Sequence, residues 1–202
     1  MKRVVLATHN AGKLREFRSL LAPLGIELKS LDEFVSAAPE ETGRTFIENA
    51  ILKARNACAV SGLPAIADDS GLEVDALRGA PGIFSARYAG SGATDEANVT
   101  KLLDELTAVA DSARTARYRC VLAFLRWEND PAPLICEATW EGRVGRQRRG
   151  AGGFGYDPVF VLDDGRTVAQ LPPEEKNRLS HRGKALQKLV TELAARDYVL
   201  NQ

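Results

Sequence analysis

Residues 65–77 read Ala-Ile-Ala-Asp-Asp-Ser-Gly-Leu-Glu-Val-Asp-Ala-Leu. A short apolar run, Ala65 to Ala67, has the make-up of a buried strand and ends in two adjacent carboxylates. Aspartate is a poor strand residue and costly to bury. Asp68 and Asp69 therefore mark either a solvated turn at Ser70-Gly71 or a site that needs concentrated negative charge. If the strand alternation holds, the two side chains point to opposite faces and do different jobs.

Working outward, the same short apolar runs recur between helical patterns. Val4 to Ala7 is a strand candidate, and Ala11 to Leu21 is helical, with Leu14, Phe17, Leu20 and Leu21 on one face before Pro23 and Gly25. Ile26 to Leu28 follows as a strand, so strand, helix and strand form a parallel crossover unit. Thr45 to Glu48 matches a capping box and opens a helix that Gly62 ends. Its apolar face carries Ile47, Ala50, Ile51, Ala54 and Cys58; Asn49, Lys53 and Asn56 share a polar face. Further helices are expected at Thr94 to Leu106 and His181 to Ala195. Long strands are expected at Thr115 to Trp127 and Leu134 to Val144, joined as an antiparallel hairpin by Asn129-Asp130-Pro131. Val159 to Leu162 is a last short strand. The fold class is α/β with a mixed, long-stranded sheet.

Composition narrows the function classes. The 202-residue chain carries 27 Lys plus Arg against 27 Asp plus Glu, a net charge of zero. That argues against a protein gripping nucleic acid through its phosphates. Arg143, Arg146, Arg148 and Arg149 cluster locally, and a solvated strand end explains them better than a nucleic-acid patch. Cys58, Cys120 and Cys136 lie far apart without metal-ligand spacing, as expected of reduced cysteines in a cytosolic protein. The first apolar run is too short for a signal peptide, and no 18-residue apolar stretch is present, so no membrane span is expected.

Four constellations have the residue types for chemistry. Thr8-His9-Asn10-Ala11-Gly12-Lys13 joins a strand to a helix start, where free amides bind anions. It is not a Walker A loop, because the upstream glycine is missing and Leu14 stands where Ser or Thr belongs. A lysine in that first turn is explained by an anion between it and the amides. Asp68-Asp69, with Glu40-Glu41 upstream, offers the hard oxygen ligands typical of Mg²⁺. Residues 150–158, rich in glycine, carry Phe154 and Tyr156 as flat faces for stacking a base. Asp157 there is an acceptor for base ring nitrogens. Finally, Lys176 with Ser180-His181-Arg182-Gly183 gathers basic groups at a helix start, where Arg182 offers a planar donor fork. Each has a plainer reading, as a capped helix, an Asp-rich turn, a core loop or a surface cluster. Together they match what a nucleoside triphosphate requires.

The segments LATHNAGKLREF, EETGRTFIENAILKAR, AIADDSGLEVDALRGAPGIFSARYAG, GGFGYDPVF and EKNRLSHRGKAL span nearly the whole chain in order. With them the chain resembles the inosine triphosphate pyrophosphatase family. The resemblance implies an elongated α/β fold with two lobes and the site in the cleft between them. It implies a homodimer in the cytoplasm and Mg²⁺-dependent hydrolysis of ITP, dITP and XTP to monophosphate and pyrophosphate, which cleanses the nucleotide pool. Carried over by position, Thr8, His9, Asn10, Ala11, Gly12, Lys13 and Lys53 hold phosphates, while Glu41 and Asp69 hold Mg²⁺. Asp69 is also the proton acceptor, and Ser70 contacts substrate. Phe154, Gly155, Tyr156, Asp157, Lys176, His181 and Arg182 surround the nucleotide, with the base between Phe154 and the His181-Arg182 pair. His9 replaces the glycine of many members. A non-catalytic nucleotide sensor would keep the loop and the basic residues without needing Glu41 and Asp69 together. A pyrophosphatase for other modified nucleotides, such as methylated pyrimidine triphosphates, is the enzyme alternative.

Overall fold

The apolar run at 65–67 does not stop at its carboxylates. In the computed structural model, which describes residues 2–8, 11–34 and 39–196, one ten-residue strand runs from Ala65 to Val74 through Asp68, Asp69, Ser70 and Gly71. The expected three-residue strand with a turn at Ser70-Gly71 is corrected accordingly. Leu72 and Val74 resume the apolar burial beyond the acids and keep the backbone extended.

In chain order the main elements are β1 (Lys2–Leu6), α1 (Ala11–Leu21), β2 (Ile26–Ser30), α2 (Phe46–Ser61), β3 (Ala65–Val74) and α3 (Asp95–Glu105). They continue with β4 (Thr115–Leu125), β5 (Leu134–Val144), β6 (Phe160–Val161), α4 (Pro173–Leu179) and α5 (His181–Ala195). The strands form one mixed sheet in the order β2-β1-β3-β4-β5-β6. β1 pairs in parallel with β2, as the crossover pattern predicts, and on its other side in parallel with β3. β6 pairs antiparallel to β5, with Arg143 opposite Val161 and Val144 opposite Phe160. β4 and β5 are neighbours. The link between them is held by Asp130, whose carboxylate accepts the backbone N–H of Arg126 and of Ala132 and pairs with the Arg126 guanidinium.

The chain divides into two compact units: Met1–Asp69, Cys120–Ala138 and Lys184–Gln202 form one; Ser70–Arg119 and Thr139–Gly183 form the other. Each has its own apolar core. In the first, Val4, Leu6, Phe17, Ile66, Leu122, Phe124, Leu186 and Leu189 pack together. In the second, Leu72, Leu102, Tyr118, Trp140, Tyr156 and Phe160 do so. The three cysteines are buried, and burial pushes the Cys58 thiol up to about 11. Among the described residues, no helix is long and apolar enough to cross a membrane.

The helix ends follow local chemistry. Thr45 caps α2 by accepting the Glu48 N–H. The Glu48 carboxylate accepts from Arg44 N–H, one residue upstream of the reciprocal bond of the ideal box. One correction concerns the basic group at 176–183. Lys176 does not stand at the start of the last helix. It sits in the last turn of a separate short helix, α4, which opens at Pro173. Ser180 takes an extended backbone between the helices, and its hydroxyl accepts the Gly183 N–H as the cap of α5. A methyl group on Gly183 would lie 1.8 Å from the Asn177 carbonyl oxygen, so only glycine allows this close approach.

Candidate active site

In the first unit, β3 delivers its two acids to two different helices, as alternation along a strand requires. Asp68, almost fully buried, accepts the Lys13 ammonium from α1 at 2.7 and 3.0 Å. Asp69, also buried, accepts Lys53 from α2 at 2.8 Å and the Asn49 side-chain N–H at 3.3 Å. Lys53 reaches Glu41 as well, at 2.9 Å, so one ammonium joins two carboxylates that lie 28 residues apart in sequence, at positions 41 and 69. The lysine at the start of α1 thus has a carboxylate of the protein itself beside it.

Asn49, the residue on the polar helix face with no assigned task, connects this cluster to its loop. Its carbonyl oxygen accepts the Gly43 N–H at 2.9 Å while its amide reaches Asp69. The signal was present: Asn49 and Lys53 are one helical turn apart, so whatever Lys53 faces, Asn49 faces. Burial raises the Asp69 carboxyl above its ordinary range, a shift that Lys53 opposes. Burial pulls the Lys53 ammonium down, but the charges of Asp69 and Asp68 outweigh it and hold the lysine protonated. The donor set is oxygen-only and converges on a cation, which fits a hard divalent ion better than a thiophilic one. Among the described residues no three acid, histidine or cysteine groups form a ready-made metal cage. Thr8 is buried two residues beyond β1, and Ala11 and Gly12 open α1. His9 and Asn10 lie outside the described residues.

In the second unit, the 150–158 loop separates its two aromatics. Phe154 is 57% exposed, and Tyr156 is 4% exposed. The stacking face expected of Tyr156 is spent in the core, where its hydroxyl donates to the Ser85 carbonyl at 2.8 Å. Phe154 keeps the stacking role open, with the Lys176 ammonium 4.3 Å and the Arg182 guanidinium 5.9 Å from its ring centroid. Gly155 donates its N–H to Asp95 at the start of α3.

Asp157 is the buried hub of this cluster. It accepts Lys176 at 2.5 Å, the Phe154 N–H at 2.9 Å and the Tyr118 hydroxyl at 3.1 Å. With three donors from the protein already on its oxygens, it holds the loop and the lysine in place. Gly153 has φ +76°, and a methyl there would meet the Asp157 carboxylate at 2.1 Å, so the loop closes on its own acid only with glycine. His181 and Arg182 are buried on the first turn of α5, and the His181 ring stacks on Tyr118 at 4.8 Å and 12°. Tyr118 carries no local sequence signal: its acid partner lies 39 residues on. Ser70 follows Asp69 on β3 and is half-buried. The arginines at 146, 148 and 149 are engaged with Asp111, Glu96 and the Gly165 carbonyl, in keeping with a solvated strand end.

Known proteins match the chain over nearly its whole length. A model of the Ham1 family matches residues 4–192. The chain is 56% identical over 194 residues to the dITP/XTP pyrophosphatase of Shigella flexneri, covering 96% of this chain and 98% of that one. It is 55% identical over 196 residues to the dITP/XTP pyrophosphatase of Vibrio parahaemolyticus, at 96% and 98% coverage. Among solved structures, a HAM1 protein from Coxiella burnetii superposes with TM-score 0.93 at 52% identity, covering 96% of this chain and all of the other. The Staphylococcus aureus Ham1 protein superposes at 0.88 and 38% identity, with the same coverage.

Proposed function

This chain belongs to the Ham1 family and is a nucleoside triphosphate pyrophosphatase, and we propose that its substrates are noncanonical purine triphosphates, dITP, ITP and XTP, cleaved to monophosphate and pyrophosphate. The observation that carries the reading is the meeting of Glu41 and Asp69 on Lys53, two carboxylates from distant segments brought to one ammonium.

Release of pyrophosphate requires water to attack the α-phosphorus, or less directly the β. Asp69 takes the proton from that water; its raised pKa makes it a better base than an exposed aspartate. Lys13 and Lys53, with the segment Thr8 to Lys13, bind the phosphates and offset the charge that grows on the leaving pyrophosphate. Asp68 keeps the Lys13 ammonium at its place. Glu41 and Asp69 would hold Mg²⁺, which when bound neutralises phosphate charge. Phe154 stacks the base, while Lys176, His181 and Arg182 present donors to its edge. Hypoxanthine and xanthine carry a 6-oxo acceptor where adenine carries an amino donor, so donors from the protein reject adenine by leaving it mismatched. Family membership also supports a cytoplasmic homodimer that clears damaged nucleotides from the pool.

The test is product identity. With Mg²⁺, pyrophosphate from dITP and XTP and little from dATP supports both the reaction and the 6-oxo filter; little from dGTP points to a further contact at the guanine 2-amino group. Orthophosphate alone defeats the α-phosphorus assignment, and saturable binding without product points to a nucleotide sensor.

A further inference from the structure

We propose that Tyr118 is a positioning residue for base selection: its ring sets the plane of His181 and its hydroxyl, through Asp157, fixes Lys176 above Phe154. The proposal rests on the reading of this cluster as the base-recognition group.

The geometry is closed at both ends. Tyr118 lies on β4, buried in the second unit's core against Phe160, with ring centroids 4.5 Å apart. Phe160 in turn meets Trp140, with ring centroids 6.3 Å apart, so the tyrosine ring is part of a buried cluster of tilted aromatic rings. One contact of the ring is the nearly parallel His181 imidazole at 4.8 Å. Its hydroxyl donates to Asp157 at 3.1 Å, and the same carboxylate holds Lys176 at 2.5 Å and the Phe154 N–H at 2.9 Å. A single side chain therefore touches a base-facing imidazole directly and two more base-facing groups through one acid. Burial and the Asp157 charge raise the Tyr118 hydroxyl well above its ordinary pKa, so it stays a donor at any working pH. A phenylalanine in its place would fill the core equally well, so packing alone does not call for the hydroxyl. Side chains that are locked by packing hold recognition groups to the fraction of an ångström that discrimination needs.

Tyr118→Phe deletes the hydroxyl and keeps the ring; Tyr118→Leu deletes both. Pyrophosphate release from dITP and dATP would be measured for each, beside the wild type and Phe154→Ala. Tyr118→Phe is expected to raise KM for dITP about tenfold with kcat within about twofold, because ground-state and transition-state binding fall together. The dITP-over-dATP ratio of kcat/KM should fall by a similar factor. Tyr118→Leu should lose more of both, and the gap between the two variants measures the stack on His181. A structural role alone would lower Tm and leave KM and base preference unchanged, and that result in Tyr118→Phe overturns the proposal. If Tyr118→Leu does not fold, Tyr118→Phe still decides. Phe154→Ala separates the two levels. If it raises KM while Tyr118→Phe does not, only the role of Tyr118 fails. If Phe154→Ala changes nothing, the base-recognition reading fails and this proposal with it.

Discussion

The two units each set buried aspartates against lysines, yet use them differently. In the first, Asp69 meets Lys53 and the weaker Asn49 amide, and Lys53 is shared with Glu41. In the second, Asp157 accepts a hydroxyl, a backbone N–H and an ammonium. Asp69 has one donor on each oxygen, Lys53 and Asn49, and under the proposed function its remaining lone pairs serve a metal or a water. Asp157 has three donors, among them a backbone amide and a core tyrosine, and under the proposed function it positions its neighbours. Residue type and burial are nearly the same at the two acids, so the neighbouring donors are what distinguish them.

The largest effect should come from the reactive side. Asp69→Asn should cut pyrophosphate release by about a thousandfold or more, since it removes the base while conserving shape. A circular dichroism melt should show a folded protein, and turnover near wild type would erase the distinction between the two aspartates. Asp68→Asn should lower kcat/KM about tenfold to hundredfold, by loosening one charge-assisted contact to Lys13. Combined with Lys13→Met it should cost no more than Lys13→Met alone, and additive losses in that cycle would give Asp68 an independent task. Asp157→Asn should instead act on binding and stability. KM for dITP rises about tenfold, kcat changes little, and the fold loses about 3 kcal/mol as Lys176 loses its counter-charge. A kcat collapse without a KM change would move Asp157 into the chemistry.

The smallest effect on activity belongs to Asp130, held like Asp157 by backbone and side-chain donors and the calibrating case for the comparison. The Arg126 guanidinium and two backbone amides hold its carboxyl well below the usual range. Asp130→Asn should leave kcat and KM unchanged and lower stability by about 1–2 kcal/mol at pH 7. The sign with pH follows from the depressed pKa. The contribution is complete above the ordinary aspartate value of about 4 and is lost as pH falls from there through the folded value. Denaturant titrations should show the gap between wild type and variant constant above about pH 5 and closing below about pH 4.

Much of this was legible in the sequence. The strands and helices of the first unit follow from hydrophobic period, caps and breakers, because those are local signals. The acids at 40–41 and 68–69 were legible as oxygen ligands, but the choice of Glu41 and Asp69 and the phosphate role of Lys53 came from family resemblance; helix period alone set Lys53 on a polar face without a partner. The length of β3, with a turn at Ser70-Gly71 left open, and the equal standing of Phe154 and Tyr156 were not resolved by the sequence, for physical reasons. Gly71 after two acids signals a turn, but Leu72 and Val74 have buried places farther along β3 and keep the strand going. Phe154 and Tyr156 look alike as stacking faces, and only burial separates them.

By itself the sequence determined the α/β class, the polar face shared by Asn49 and Lys53, the glycine-rich aromatic loop and the neutral charge that disfavours a nucleic-acid grip. It did so because period, capping and turn chemistry are written within a few residues of one another. Tertiary structure alone decided which lysine each aspartate holds, that Tyr156 is core and Phe154 surface, and that Tyr118 joins His181 to Asp157. Those choices depend on donors brought together from distant parts of the chain, and no spacing along a sequence encodes a distance across a fold.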